Sequence, residues 1–249
     1  MTGQELVAVL RESYLDDNKL PYGWSTVELL RNLNYAEVQA CRRAHLIIDG
    51  TTANDSGTAA TAGTLGQKPL CTLSIVADTA TYNLSPRILQ VRRCQLASMT
   101  YPLRGPVSTD ELDDIYGFSG WRGTGNIVGT AGSGGFPFCF LNEPGNTITF
   151  VRAPSESTTA HLVVSRIPLI NFTLLTSPEI DSQHHEGLCD WAAHLAFMKP
   201  DSETQNLNLA KYYEDAFTEK FGALPNAYVE RLYKVLSQNQ RMRARPFGS

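Results

Sequence analysis

The sequence predicts an α+β chain: a helical bundle formed by both chain ends, with an antiparallel β module inserted between them. Three observations predict it. Apolar residues at helical spacing, each set opened by capping residues, occupy residues 4–48 and return near Ser177. Short alternating runs broken by Pro and Gly fill the stretch between. Composition, at 42% hydrophobic and 18% charged, is that of a globular chain rather than a disordered one. The expected divisions are 1–50 and 175–240 for the bundle, 65–172 for the β module with a Gly-rich loop at 117–135, and 241–249 for a basic C-terminal arm.

Thr2-Gly3-Gln4-Glu5 has the hydroxyl and the carboxylate of a capping box, three residues apart. Leu6, Val9, Leu10 and Tyr14 follow at helical steps, and Asp16 to Lys19 with Pro21 stop that helix. Ser25-Thr26-Val27-Glu28 is a second capping box. From it the stripe Leu29, Leu33, Ala36, Ala40, Ala44, Ile47 predicts one long helix ending at Asp49-Gly50. Residues 50–68, rich in Thr, Ala and Gly, read as a loop.

Strands are expected at 70–75, 81–84, 88–94 and 96–101, with Pro86, Pro102 and Gly105 between them. Ser108 caps a short helix through Ile115. Strands resume at Phe136–Leu141, Thr147–Val151 and Leu162–Ile167, the first two joined by a turn at Glu143-Pro144-Gly145-Asn146. Ser177-Pro178-Glu179 then reads as a helix start, with proline where its missing N–H costs nothing. Lys199-Pro200 breaks that helix, and Asp201 or Ser202 opens the next, with Leu209, Tyr213, Ala216, Phe217 and Phe221 on one face up to Gly222. A last helix is expected from Asn226.

The charge is unevenly spread. Residues 1–230 hold 16 Lys+Arg against all 25 acids, a net of −9, whereas Arg231, Lys234, Arg241, Arg243 and Arg245 follow with no acid. An acidic body is a poor general nucleic-acid binder, which needs clustered cations facing phosphates. No apolar run nears the ~18 residues of a membrane span. The apolar stretch Leu6–Leu10 stops at Arg11-Glu12, too short for a signal-peptide core. The five cysteines, Cys41, Cys71, Cys94, Cys139 and Cys189, are irregularly spaced and read as buried free thiols. A chain of this length buries roughly 70–75% of its unfolded surface and needs no staple.

Candidate chemistry is weak. His184, His185, Cys189 and His194 fall on one expected helix, but no H-E-x-x-H and no second cluster accompanies them, so they read as a polar face with a buried thiol. Gly117-Phe118-Ser119-Gly120 misplaces the second glycine of a nucleophile elbow. Gly123 to Gly129 is G-x-G-x-x-x-G, one residue off the dinucleotide pattern, and follows Arg122 rather than a strand. Asp16-Asp17 and Asp113-Asp114 read as solvated acids at helix ends and turns. No catalytic, cofactor or metal residue is expected. A hydrolase or a nucleic-acid-binding module is the remote alternative.

The segment "ELVAVLRESYLDDNKLPYGWSTVELLRNLNYAEVQACRRAHLI" resembles the start of head-to-tail adaptor (connector) proteins of tailed bacteriophages. It has their opening helix, the acidic turn Leu15-Asp16-Asp17, the Trp24-Ser25 cap and the run Leu33-Asn34-Tyr35-Ala36-Glu37. "SPEIDSQHHEGLCDWAAHLAFMKPDSETQNLNLAKYYEDAFTEKFG" is similar to their second helical part, and "ATYNLSPRILQVRRCQL" to their strand-Leu-Pro-strand segment. The resemblance implies a structural, non-enzymatic virion protein without cofactor, made in the host cytoplasm and placed in the neck. Its partners would be the portal protein, tail or nozzle proteins and itself, in a ring of commonly twelve. Genomic DNA would pass through the lumen without specific binding, and no membrane is involved. The basic residues Arg231, Lys234, Arg241, Arg243 and Arg245, with Phe247 as an aromatic anchor, are then the candidate portal or inter-subunit contact. A tail-completion or tail-tube-end protein is the alternative role.

Overall fold

The computed structural model describes residues 1–55, 68–107, 109–116, 137–143, 146–200, 205–226 and 229. Helices and antiparallel sheets are both present, so the chain is α+β. It divides into two units, residues 1–49 with 165–226, and residues 50–164 with 227–249. The Gly-rich loop 117–135, the helix expected from Asn226 (apart from Val229) and the arm 241–249 lie outside the described residues.

In the first unit, α1 (Gly3–Val9) opens with the expected box: the Thr2 hydroxyl accepts the Glu5 N–H, and the Glu5 carboxylate accepts the Thr2 N–H. The helix widens to a π-helical stretch at Leu10–Leu15 and ends on Asp16 in the left-handed region, φ 50°. Then α2 (Thr26–Ala44) starts where Ser25 accepts the Glu28 N–H. It buries the expected stripe Leu29, Leu33, Ala36 and Ala40. It stops earlier than the sequence predicts. His45 turns left-handed at φ 50°, and the β-branched pair Ile47-Ile48 becomes β1 (Ile47–Asp49), with Ile47 buried and Ile48 exposed. The apolar spacing of Ile47 satisfies either period, and sheet pairing decides the matter.

The second half of this unit departs from the sequence reading at Ser177-Pro178-Glu179, which opens no helix. A single 3-10 turn at Ser182–His184 precedes α4 (Leu188–Phe197). There the N–H groups of Glu179 and Ile180 donate to the Glu37 carboxylate of α2, at 2.6 and 3.2 Å, which pins this segment to α2 in its non-helical course. Next, α5 (Leu207–Phe221) begins at Asn206, whose side chain caps the Leu209 N–H; Asp201 and Ser202, the expected start, lie outside the described residues. Ala210, Phe217 and Phe221 form its buried face, while Leu209 stays exposed. It ends at Gly222, φ 86°.

One apolar cluster joins these pieces. Leu6 and Leu10 meet Leu29, Leu33, Leu188, Ala192, Ala196 and Phe217. Phe197 stacks on Tyr213 with ring centres 5.9 Å apart, and Trp24 meets the edge of Phe197 while its Nε1 donates to the Ala196 carbonyl at 3.2 Å.

In the second unit the strands are β2 (Thr72–Ile75), β3 (Thr81–Asn83), β4 (Ile88–Leu96), β5 (Cys139–Glu143), β6 (Thr147–Val151) and β7 (Thr158–Arg166), with α3 (Thr109–Tyr116) between β4 and β5. One sheet has the order β3-β6-β5, antiparallel, with Phe140 opposite Phe150 and Glu143 opposite Thr147. In the other, β7 pairs antiparallel with β2, Leu73 opposite Ala160, and pairs also with β4 and with β1. Residues 97–101 form a turn instead of the expected strand. The ends of the expected loop 50–68 are tied down: Leu70 and Cys71 donate to the carbonyls of Ala53 and Thr52, and Asp55 accepts from Lys68 N–H and Ser85 Oγ. Residues 56–67 lie outside the described ones. Gly105, φ 147°, passes so close to β5 that a Cβ there would sit 2.7 Å from the Phe140 carbonyl oxygen.

Candidate interaction surfaces

The residues expected to make contacts, Arg231, Lys234, Arg241, Arg243, Arg245 and Phe247, lie outside the described residues. So does the near-dinucleotide run Gly123 to Gly129. What the structure does place are the polar clamps of the helical unit and an open face of α2.

The His/Cys group is dispersed among separate partners. The Ile180 carbonyl accepts from His185 Nε2 at 2.9 Å, which leaves Nδ1 to accept from the Met1 amine at 3.0 Å. His194 Nδ1 donates to the Ala210 carbonyl at 2.9 Å. The Cys189 thiol faces the Leu6 carbonyl at 3.9 Å. Among the described residues no group of three or more His, Cys, Asp or Glu is placed to hold a metal ion. All five cysteines are buried and free. Burial pushes the Cys94 and Cys189 thiols up to about 12, so neither has thiolate character at neutral pH.

Of the acidic pair, Asp16 is an exposed acid at the helix end as expected, and Asp17 is not. Asp17 is buried, pairs with Arg11, and accepts the N–H groups of Gly23, at 2.9 Å, and Trp24. Arg11 also donates to the Trp24 carbonyl at 2.7 Å. The pair thus closes the loop between the first two helices. A second clamp lies where β7 leaves the sheet: Arg166 donates to Asp49 at 2.8 Å and to Glu179, whose other oxygen accepts the Leu169 N–H at 2.9 Å. Neither clamp carries a sequence signal beyond the residue types, because each joins residues brought together only by folding.

Arg43 is a third case. Its guanidinium lies over the Trp191 and Phe217 rings, 4.7 and 4.9 Å from their centres, and donates to Thr218 Oγ1 and the Gly222 carbonyl. It fastens the end of α5 to α2.

On α2 the residues Val27, Leu30, Arg31, Asn34, Tyr35 and Val38, with the irregular segment 171–173, line an open, mainly apolar groove of about 440 Å³. Asn34 Nδ2 ties its floor by donating to the carbonyls of Leu30 and Phe172 at 2.9 and 3.1 Å. Val27 is 79% exposed and Tyr35 50%. Arg31 is exposed at the rim. Among the described residues no helix is long and apolar enough to cross a membrane.

Comparison with known proteins finds a family model described as SU10 adaptor protein that matches residues 1–245. No curated protein matches the chain. The match spans both helical parts and the strand region between them, so it agrees with the resemblance to phage head-to-tail adaptors carried by residues 4–48 and 177–222.

Proposed function

The chain belongs to the SU10 adaptor protein family, and from that membership we propose that this structural phage adaptor forms a ring in the virion neck, between portal and tail, around the DNA channel. The observation that carries the proposal is the family match over nearly the whole chain. In this reading both chain ends build the helical bundle and the β module is inserted in it. The subunits number commonly twelve, and portal and tail or nozzle proteins are the neighbours. The body at net −9 suits a lumen wall, because like charge lets DNA slide past without sticking. Arg231, Lys234, Arg241, Arg243, Arg245 and Phe247 make the portal or inter-subunit contact, cations toward carboxylates and the ring as an anchor.

The test is binding of purified protein to portal rings, followed by reconstruction of the particle neck. Full-length protein is expected to bind portal, and protein truncated after Gln240 is expected to lose that binding with its melting temperature nearly unchanged. Absence of portal binding by the full chain at any salt concentration overturns the proposal. Density on the tail side with no portal contact would reassign the protein to tail completion.

A further inference from the structure

Two exposed faces of the helical unit carry opposite charge, and one of them is an apolar groove. Val27, Arg31, Tyr35 and Val38 follow one another at steps of four, four and three, so they share one side of α2. Arg43, which reaches α5, falls on the other side of that helix at 3.6 residues per turn. The groove therefore faces away from α5. On α5 itself, Asn208, Tyr212, Asp215 and Glu219 step by four, three and four, and all are exposed. They stand opposite the buried Ala210, Phe217 and Phe221. Tyr212 is 64% exposed at the middle of this acidic stripe.

We infer that the α2 groove of one copy receives the Tyr212–Asp215–Glu219 face of α5 from a second copy. Tyr212 fills the apolar groove, and Arg31 at its rim meets Asp215 and Glu219. An aromatic anchor in an apolar recess with charges at the rim is the usual energetic centre of such contacts. Arg31 also selects the occupant. The chain's own basic stretch, Arg241 to Arg245, carries the sign that Arg31 repels, whereas the acidic body carries the opposite one. Because two different faces meet, the contact is head-to-tail, and repetition closes a ring or runs on as a filament. The inference rests on the adaptor-ring reading and names the faces that such a ring would join.

Cysteine cross-linking tests it directly, since the native thiols are all buried. Equal amounts of Tyr35→Cys and Tyr212→Cys protein are mixed at high concentration and oxidised gently. A disulfide-linked dimer is expected from the mixture and none from either variant alone. In parallel, Arg31→Glu and Tyr212→Ala are each expected to weaken self-association about tenfold or more by sedimentation. Asp215→Arg added to Arg31→Glu is expected to recover most of that loss, with melting curves unchanged throughout. Oligomers that form without the 35–212 link and ignore Arg31→Glu overturn this contact and leave the adaptor reading standing. Failure to self-associate, alone or on portal rings, overturns both.

Discussion

The Glu37 carboxylate, halfway along α2, accepts the backbone N–H of Glu179 at 2.6 Å. The same oxygen accepts the Ile180 N–H at 3.2 Å. Glu37 is 1% exposed, so a buried acid on one chain segment holds the backbone of another 142 residues away. Burial pushes its carboxyl up from the usual 4.5 to about 7, against the two N–H donors and the Arg166 charge, which pull it down, while the Glu179 charge adds to the rise.

That position makes stability depend on pH. Between about pH 4.5 and 7 the folded protein keeps a proton that the unfolded chain has lost. Folding therefore becomes less favourable as pH rises through this window, with no further loss above it. Glu37→Gln keeps an oxygen acceptor but does not titrate. The stability of wild type minus that of Glu37→Gln should fall by roughly 3 kcal/mol from pH 4.5 to 7.5, read by urea unfolding. A difference that stays flat with pH would show that the carboxyl titrates near its ordinary value. Glu37→Ala should cost a further 1–3 kcal/mol or so, because it leaves two buried donors unmet.

Asp17 should be the most sensitive acid of the first loop. Its carboxylate holds Arg11 and two backbone donors in a buried turn. Asp17→Ala strands the arginine in the interior and should destabilise by about 3–5 kcal/mol. Asp16→Ala next to it should cost far less. Limited proteolysis should then cut between Asn18 and Gly23 in the Asp17 variant first.

Gly3 admits no side chain. A Cβ there would lie 2.3 Å from the Thr173 carbonyl oxygen, while the Gly3 and Gln4 N–H groups donate to Thr176 and Leu174 at 2.9 Å each. Gly3→Ala should move α1 off the 173–176 turn and cost about 1–3 kcal/mol. Hydrogen exchange should show faster opening at residues 3–6.

The thiols report global opening. With Cys94 and Cys189 raised to about 12 and all five buried, native protein should resist iodoacetamide at pH 8. Labelling should rise together at all five sites across the unfolding transition. Rapid labelling of a single cysteine in native conditions would mark a local opening instead.

Local signals in the sequence translate well where the partners are near in the chain. Thr2 with Glu5, Ser25 with Glu28 and the stripe from Leu29 to Ala40 appear in the structure much as spacing predicts. They fail where a distant group intervenes. Ser177-Pro178-Glu179 has every local mark of a helix start, and the segment instead docks without helical turns on Glu37 of α2. Asp17 differs: its partners Arg11, Gly23 and Trp24 are near in the chain, and it is the closed, buried turn that overturns the mark of a solvated acid.

By itself the sequence determined the caps of the first two helices, their apolar faces and the split between an acidic body and a basic end, because each depends on residue type and short spacing. Its order of segments also carried the likeness to adaptors. Only the tertiary structure decided that Ile47 belongs to a strand, that Glu37 and Asp17 are buried clamps, and that α2 leaves an apolar groove open to solvent. Those outcomes depend on how the chain packs, across 142 residues for Glu37 and by closure of a short turn for Asp17, and the energy of such a contact exists only once the chain has folded to bring both partners together.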